Sequence, residues 1–160
     1  MNSRRTKSSE VGGQIGEIDS YLGYWLRFVS NQVTSVFQQK LSEKGVTVAE
    51  WVALRFLYAY APCSQSKLSE EMGIDKGSIS RIADRLEKMG LLKRMEGEDR
   101  RAFSIRLTPL GLKLVPELAK IAEENDSFFF DHLTKKEVEL MSRILKDLVN
   151  RHGLSAKPLD

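Results

Sequence analysis

Cysteine is almost missing. Cys63 stands alone among 160 residues, so an intrachain disulfide framework and a thiolate metal cluster are both excluded, and a reducing compartment is the natural expectation. Histidine is nearly as scarce: His132 and His152 are not spaced as ligands with each other or with Cys63, so no metal site is expected. No apolar run approaches the ~18 residues that would span a bilayer. Arg4, Arg5 and Lys7 have no apolar stretch behind them, which argues against a secretory signal. A cytoplasmic protein without a membrane segment is therefore expected. Glycine-rich phosphate loops, solenoid repeats and low-complexity tracts are missing too. Ser64 and Ser66, beside Cys63, read as helix caps and not as nucleophiles. With no catalytic constellation and no implied cofactor, an enzyme is not expected.

What is present is ordinary in amount and uneven in placement. At 29% charged and 41% hydrophobic, the chain has the make-up of a one-domain globular protein long enough for a real core. Net charge is only +3, but residues 76–106 hold nine Lys or Arg against five Asp or Glu, leaving the remainder slightly acidic. On charge alone this is a solvated face. Its setting says more.

Ile79, Ile82, Ala83, Leu86 and Met89 recur at the spacing of one buried helical stripe. Asp75 is placed to cap that helix and Gly90 to end it. The opposite face carries Lys76, Gly77, Ser78, Ser80, Arg81, Asp84, Arg85 and Lys88, small and donor-rich near its start. A shorter helix precedes it, capped by Ser64, buried through Leu68 and Met72, and broken at Gly73. Two short helices joined by Gly-Ile-Asp read as a helix-turn-helix, whose second helix enters the DNA major groove. The period then changes to two. Residues 92–96 and 102–107 read as strands, with Phe103, Ile105 and Leu107 alternating against Ser104 and Arg106 around a charged tip at 97–101. Helix, turn, helix and basic-tipped hairpin make a winged helix-turn-helix.

On this face Arg81 and Arg85, one turn apart, can reach guanine or phosphate. Arg85 is equally open to charge pairing with Asp84 or around Glu87-Lys88. Lys76, Gly77, Ser78 and Ser80 lie at the helix start, where amides and hydroxyls suit a phosphate or base edge. Ser64 joins this DNA-binding set.

The run Leu86-Glu-Lys-Met-Gly-Leu-Leu-Lys-Arg94, then Asp99-Arg-Arg101, then Leu107-Thr-Pro-Leu-Gly111 resembles the multiple-antibiotic-resistance regulator (MarR) family. The resemblance covers roughly residues 17–152. It implies a ligand-responsive, homodimeric DNA-binding transcription regulator, most often a repressor. It also implies that Asp99 and Arg101 shape the wing, and that a tip arginine, Arg100 or Arg101, enters the minor groove, where negative potential is strongest. Finally, it implies a crevice between dimer helices and reading module that binds small aromatic or anionic effectors. For that crevice the candidates are Tyr21, Tyr24, Trp25, Arg27 and Phe28 on the first helix, and Trp51, Arg55 and Tyr58 on the second. The same aromatic spacing also suits plain core packing.

The rest of the chain supplies the frame. Residues 1–16 are polar and expected to be loose, as is a tail at 153–160. A first helix keeps one stripe from Ile18 to Leu41, and Gly45 stops it. Thr47 and Glu50 form a capping box for a second, which Pro62 closes. Thr108-Pro109 opens a fifth helix; Thr134 and Glu137 repeat the capping box for a sixth. The expected fold is thus mostly α with a small β-hairpin wing, the hairpin lying between the fourth and fifth of six helices. Residues 46–108 form the reading module. Residues 17–45 and 109–152 are left with unburied apolar faces and are expected to pair with a second copy as a homodimer on a pseudo-palindromic duplex. A non-sensing architectural DNA-binding protein and a winged-helix protein-interaction module are the alternatives.

Overall fold

The computed structural model describes residues 17–96 and 103–154. Its elements are α1 (Leu22–Glu43), α2 (Val48–Tyr60), β1 (Cys63–Ser64), α3 (Gln65–Met72), α4 (Lys76–Lys88), β2 (Leu92–Glu96), β3 (Phe103–Leu107), α5 (Pro109–Phe130) and α6 (Lys135–Arg151). The chain divides into two units, residues 1–32 and 33–160, with α1 running from the first into the second.

In the first unit the helix begins later than its stripe suggests. A 3-10 turn at Ile18–Ser20 ends at Tyr21, whose backbone is extended. The Trp25 indole N–H donates to the Asp19 carbonyl at 2.7 Å, taking an acceptor that a continuous helix would have offered to the amide four residues on. Tyr24 stacks on Phe28 and meets Trp25 edge-on. Leu22 is 81% exposed, and Tyr21, Trp25, Leu26, Phe28 and Val29 are exposed as well.

The second unit is built round α2. Ala53, Leu54 and Leu57 are fully buried on it, and they share a core with Leu41, Leu68, Met72, Ile79, Leu86, Ile105 and Leu118. Each such leucine contributes on the order of 1.5–3 kcal/mol by leaving water. The helices start where the cap residues put them: Thr47–Glu50 and Thr134–Glu137 are both complete capping boxes, and Ser64, Asp75 and Thr108 each accept a backbone N–H three residues on. The sheet is antiparallel in the order β1-β3-β2. Strand β1 was not expected, since two residues are too few for an alternation to be visible. Ile105 and Leu107 point inward as their spacing predicts, whereas Phe103, at the tip end, passes beyond the core and is exposed.

The start of helix α5 is fastened to the reading module by hydrogen bonds, beyond which Val115 and Leu118 pack into the shared core. Thr108 Oγ1 donates to the Gly90 carbonyl at 2.6 Å while accepting the Gly111 N–H, and the Thr108 N–H donates to the Leu91 carbonyl. A Cβ on Gly111 would lie 2.2 Å from that same Leu91 oxygen. The Leu-Thr-Pro-Leu-Gly run is therefore a docking joint. Helix α6 buries no residue fully, and Val138, Leu140, Ile144, Leu145 and Leu148 are exposed along it, as is Phe128 near the end of α5.

Candidate nucleic-acid interface

Helices α3 and α4 form the helix-turn-helix. The turn is set by Gly73 at φ 73° and locked by Ser69, whose hydroxyl donates to the Ile74 carbonyl at 2.6 Å. Ser69 is buried, and nothing in the apolar spacing singled it out. Helix α4 is about 20 Å long at 1.5 Å per residue. It buries Ile79, Ala83 and Leu86 and turns its polar side outward.

The charged residues of that side divide into two groups. Near the N-terminus, Asp75 caps the helix through Ser78, accepting its N–H at 2.9 Å and its hydroxyl at 2.6 Å. Those two bonds, the hydroxyl's first, hold the Asp75 carboxyl below the ordinary carboxylate range. Arg81 donates to the Ser78 hydroxyl oxygen at 3.0 Å, so its guanidinium is held over the first turn. Lys76, Gly77 and Arg81 are exposed and Ser80 half-buried. Ser64 is exposed too, but its oxygen caps α3 and it stands at the start of that helix, not of α4.

Further along, every charge from Asp84 to Glu87 has a protein partner. Arg85 pairs with neither neighbour on its own helix. Its Nη1 donates to Glu50 Oε1 at 2.6 Å and its Nη2 to the Gly45 carbonyl at 3.0 Å. Asp84 and Glu87 are both taken by Arg94 of β2, at 2.6 Å for Asp84, and Glu87 also accepts the Arg94 backbone N–H. Arg94 thus ties the base of the wing to the recognition helix. Sequence reasoning missed both partners, though a signal existed for each. Glu50 falls on the stripe of Ala53, Leu54 and Leu57, and Arg94 on the strand face of buried Leu92. A charge on a buried face demands a counter-charge.

Asp99, Arg100 and Arg101, expected at the wing tip, lie outside the described residues. Of the effector candidates, Tyr21 immediately precedes α1, Tyr24, Trp25, Arg27 and Phe28 are on the part of α1 in the first unit, and Trp51, Arg55 and Tyr58 are on α2. Trp51 is half-buried against the core, whereas Arg55 and Tyr58 are exposed. Tyr58 lines a cleft of about 440 Å³ with Leu57, Pro62, Leu107 and Leu112, and with Lys93 and Arg106 at its edge. Lys93 and Arg106 face each other across β2 and β3, and among the described residues neither has a carboxylate within 4.0 Å. Cys63 is buried in β1, and that burial pushes its thiol pKa up. Among the described residues no cluster of His, Cys, Asp or Glu is arranged to hold a metal ion, and no helix is long and apolar enough to cross a membrane.

Known proteins share this arrangement. A profile described as MarR family matches residues 44–102. An HTH-type transcriptional regulator of Bacillus thuringiensis subsp. konkukian is 32% identical over 132 residues, covering 81% of this chain and 88% of the relative. The regulator YhjH of Bacillus subtilis (strain 168) is 27% identical across 100% of this chain and 95% of its own length. Among solved structures, the S. aureus MepR–DNA complex superposes with a TM-score of 0.73 at 25% identity, covering 82% of this chain and 98% of MepR. Bordetella bronchiseptica BpsR, whose DNA binding is regulated by 6-hydroxynicotinic acid, gives 0.72 at 26% identity over 84% of this chain and 96% of its own. With its winged helix-turn-helix, the protein is a transcriptional regulator and belongs to the MarR family.

Proposed function

We propose that this regulator is a repressor that binds a pseudo-palindromic operator as a two-fold homodimer and is released by a small anionic ligand. The observation that carries the DNA reading is the division of charge on α4. Lys76, Gly77, Ser80 and Arg81 are turned outward at the positive end of the helix, while Asp84, Arg85 and Glu87 beyond them are paired within the protein. A donor-rich helix start is what approaches base edges and phosphates in a major groove. The exposed apolar residues of α1 in the first unit, and those of α5 and α6 in the second, are each what a second copy would cover, and two-fold pairing sets two recognition helices about 10 base pairs apart.

The cleft beside Tyr58 supports the ligand half of the reading. Lys93 and Arg106, with no carboxylate partner among the described residues, stand over an apolar floor and suit a small molecule with a carboxylate on an aromatic body. An effector need only bind better to a dimer whose recognition helices are wrongly spaced; a hundredfold preference, ~2.7 kcal/mol, gives strong release.

The test is a gel shift on the promoter beside the protein's own gene, across a salt series. Binding weakens steeply with salt and is reduced in Arg81→Ala. Adding an aromatic carboxylate such as 6-hydroxynicotinic acid releases the DNA from the natural chain but not from Lys93→Ala/Arg106→Ala. Salt-insensitive binding refutes the DNA reading; equal release of that double variant refutes the cleft as the ligand's seat.

A further inference from the structure

Arg85 lies on the DNA-facing helix and carries the charge expected of a phosphate contact, yet its guanidinium faces the protein. It bridges three helices. Nη2 donates to the Gly45 carbonyl, which belongs to the turn closing α1: Gly45 is at φ 71°, its N–H donates to Ser42 O, and the next N–H returns to Leu41 O. Nη1 donates to Glu50, in the first turn of α2. Arg85 itself is in the last turn of α4. These partners stand 40 and 35 residues away in sequence.

Glu50 explains why the bridge persists. Its side chain is 3% exposed, and its other oxygen accepts the Thr47 N–H at 2.8 Å. Both carboxylate oxygens are thus occupied. Should Arg85 swing to a phosphate, a buried anion would lose its counter-charge, whereas the half-exposed guanidinium would gain only a solvent-screened contact. The balance keeps Arg85 at home. From this geometry we infer that Arg85 is a positioning residue that fixes the recognition helix against the α1–α2 turn, with Glu50 as its anchor, and is not a DNA contact. A change in the angle between α1 and α2 at Gly45 then moves one of its acceptors, so the clamp passes the position of α1 to the helix that reads DNA.

The inference rests on the DNA-binding reading, and one set of variants separates the two. Operator affinity is measured by fluorescence anisotropy between about 50 and 300 mM KCl, a range over which screening changes markedly, for the natural chain, Arg81→Ala, Arg85→Ala, Arg85→Lys, Glu50→Gln and Glu50→Gln/Arg85→Ala. A phosphate contact contributes about −0.9 to the slope of log K against log salt. Arg81→Ala loses roughly that much. Arg85→Ala weakens binding about tenfold at every salt with the slope unchanged, and Arg85→Lys, which keeps the charge but not the two-pronged reach, does not restore it. Glu50→Gln is the sharpest arm. Removing a negative charge near DNA should by electrostatics alone tighten binding. The clamp predicts weakening, because one amide oxygen cannot serve both Thr47 and Arg85, and the double variant is no worse than Arg85→Ala.

The inference is overturned if Arg85→Ala loses a unit of slope, if Arg85→Lys restores affinity, or if Glu50→Gln binds as well as or better than the natural chain. Glutamine retains the cap to Thr47, so this arm stands even where Arg85→Ala fails to fold. If the natural chain itself binds no operator, the DNA reading fails first. The clamp is then judged by a double-mutant cycle on urea unfolding, where additive effects of the two substitutions overturn it.

Discussion

Replacing Gly111 by alanine sets two effects of opposite sign against each other. Gly111 is helical, in the first turn of α5, so propensity alone favours alanine by about 0.8–1 kcal/mol. The new methyl, however, arrives 2.2 Å from the Leu91 carbonyl oxygen and 3.1 Å from its carbon. That backbone cannot yield cheaply. The Leu91 N–H is bonded to Leu86 O at the end of α4, its oxygen accepts from Thr108, and β2 begins at the next residue. Relief therefore means moving α5 off the joint, which costs about 1–3 kcal/mol of overpacking. It also strains the Thr108 bonds to Leu91 and Gly90, each worth about 1 kcal/mol. The clash wins, for a net loss of about 2–3 kcal/mol. Urea unfolding followed by circular dichroism, at matched protein concentration, should show a midpoint lowered by roughly 1 M for a slope of about 2 kcal/mol/M. An alanine variant as stable as the natural chain, or more so, would refute the account of the Leu-Thr-Pro-Leu-Gly joint.

Three further outcomes follow from the same geometry. Arg94→Ala releases the base of the wing and leaves Asp84 and Glu87 as uncompensated anions beside the duplex, so operator affinity should fall by about tenfold or more; unchanged anisotropy titrations would count against the wing anchor. Asp75 and Glu137 are held below the ordinary carboxylate range, by the Ser78 and Thr134 hydroxyls first and their backbone bonds second. Depressed folded-state values mean their stabilisation is complete above the unfolded carboxylate pKa and is lost as pH falls through the folded one. Acid unfolding should accordingly shift to higher pH in Asp75→Asn, and an identical acid midpoint would contradict the assignment. Cys63, buried with its thiol pKa raised, should react with a thiol reagent only as fast as the protein opens; rapid labelling of the folded chain, or peroxide-sensitive DNA binding lost in Cys63→Ser, would show the reverse.

How far the fold could be read from residues depended on where the information was local. Thr47, Ser64, Asp75, Thr108 and Thr134 each cap a helix through a bond three residues away, and all five are visible as sequence signals. The short strand β1 was not visible, because its two residues extend only to meet a distant part of the chain, Cys63 pairing with Ile105 and Ser64 with Ser104. Nor was the break before α1, where the Trp25 indole takes a carbonyl that backbone pattern alone assigns to the helix.

The candidate site shows the same limit in its charges. Reading residues 76–106 as a cationic stretch treats Lys and Arg as interchangeable and free, but Arg85 and Arg94 are committed to Glu50, Asp84 and Glu87. The three acidic residues hold two arginines that tie the helix on either flank, one to the α1–α2 turn and one to the wing. The contacts proposed on α4 are Lys76 and Arg81 at the positive end of the helix, with the small residues Gly77 and Ser80 between them. A count of local cations therefore includes two that are turned to the protein. A count could not have separated the two kinds, because the difference lies in which side of the helix Glu50 and Arg94 approach from, and that is settled by packing distant segments together.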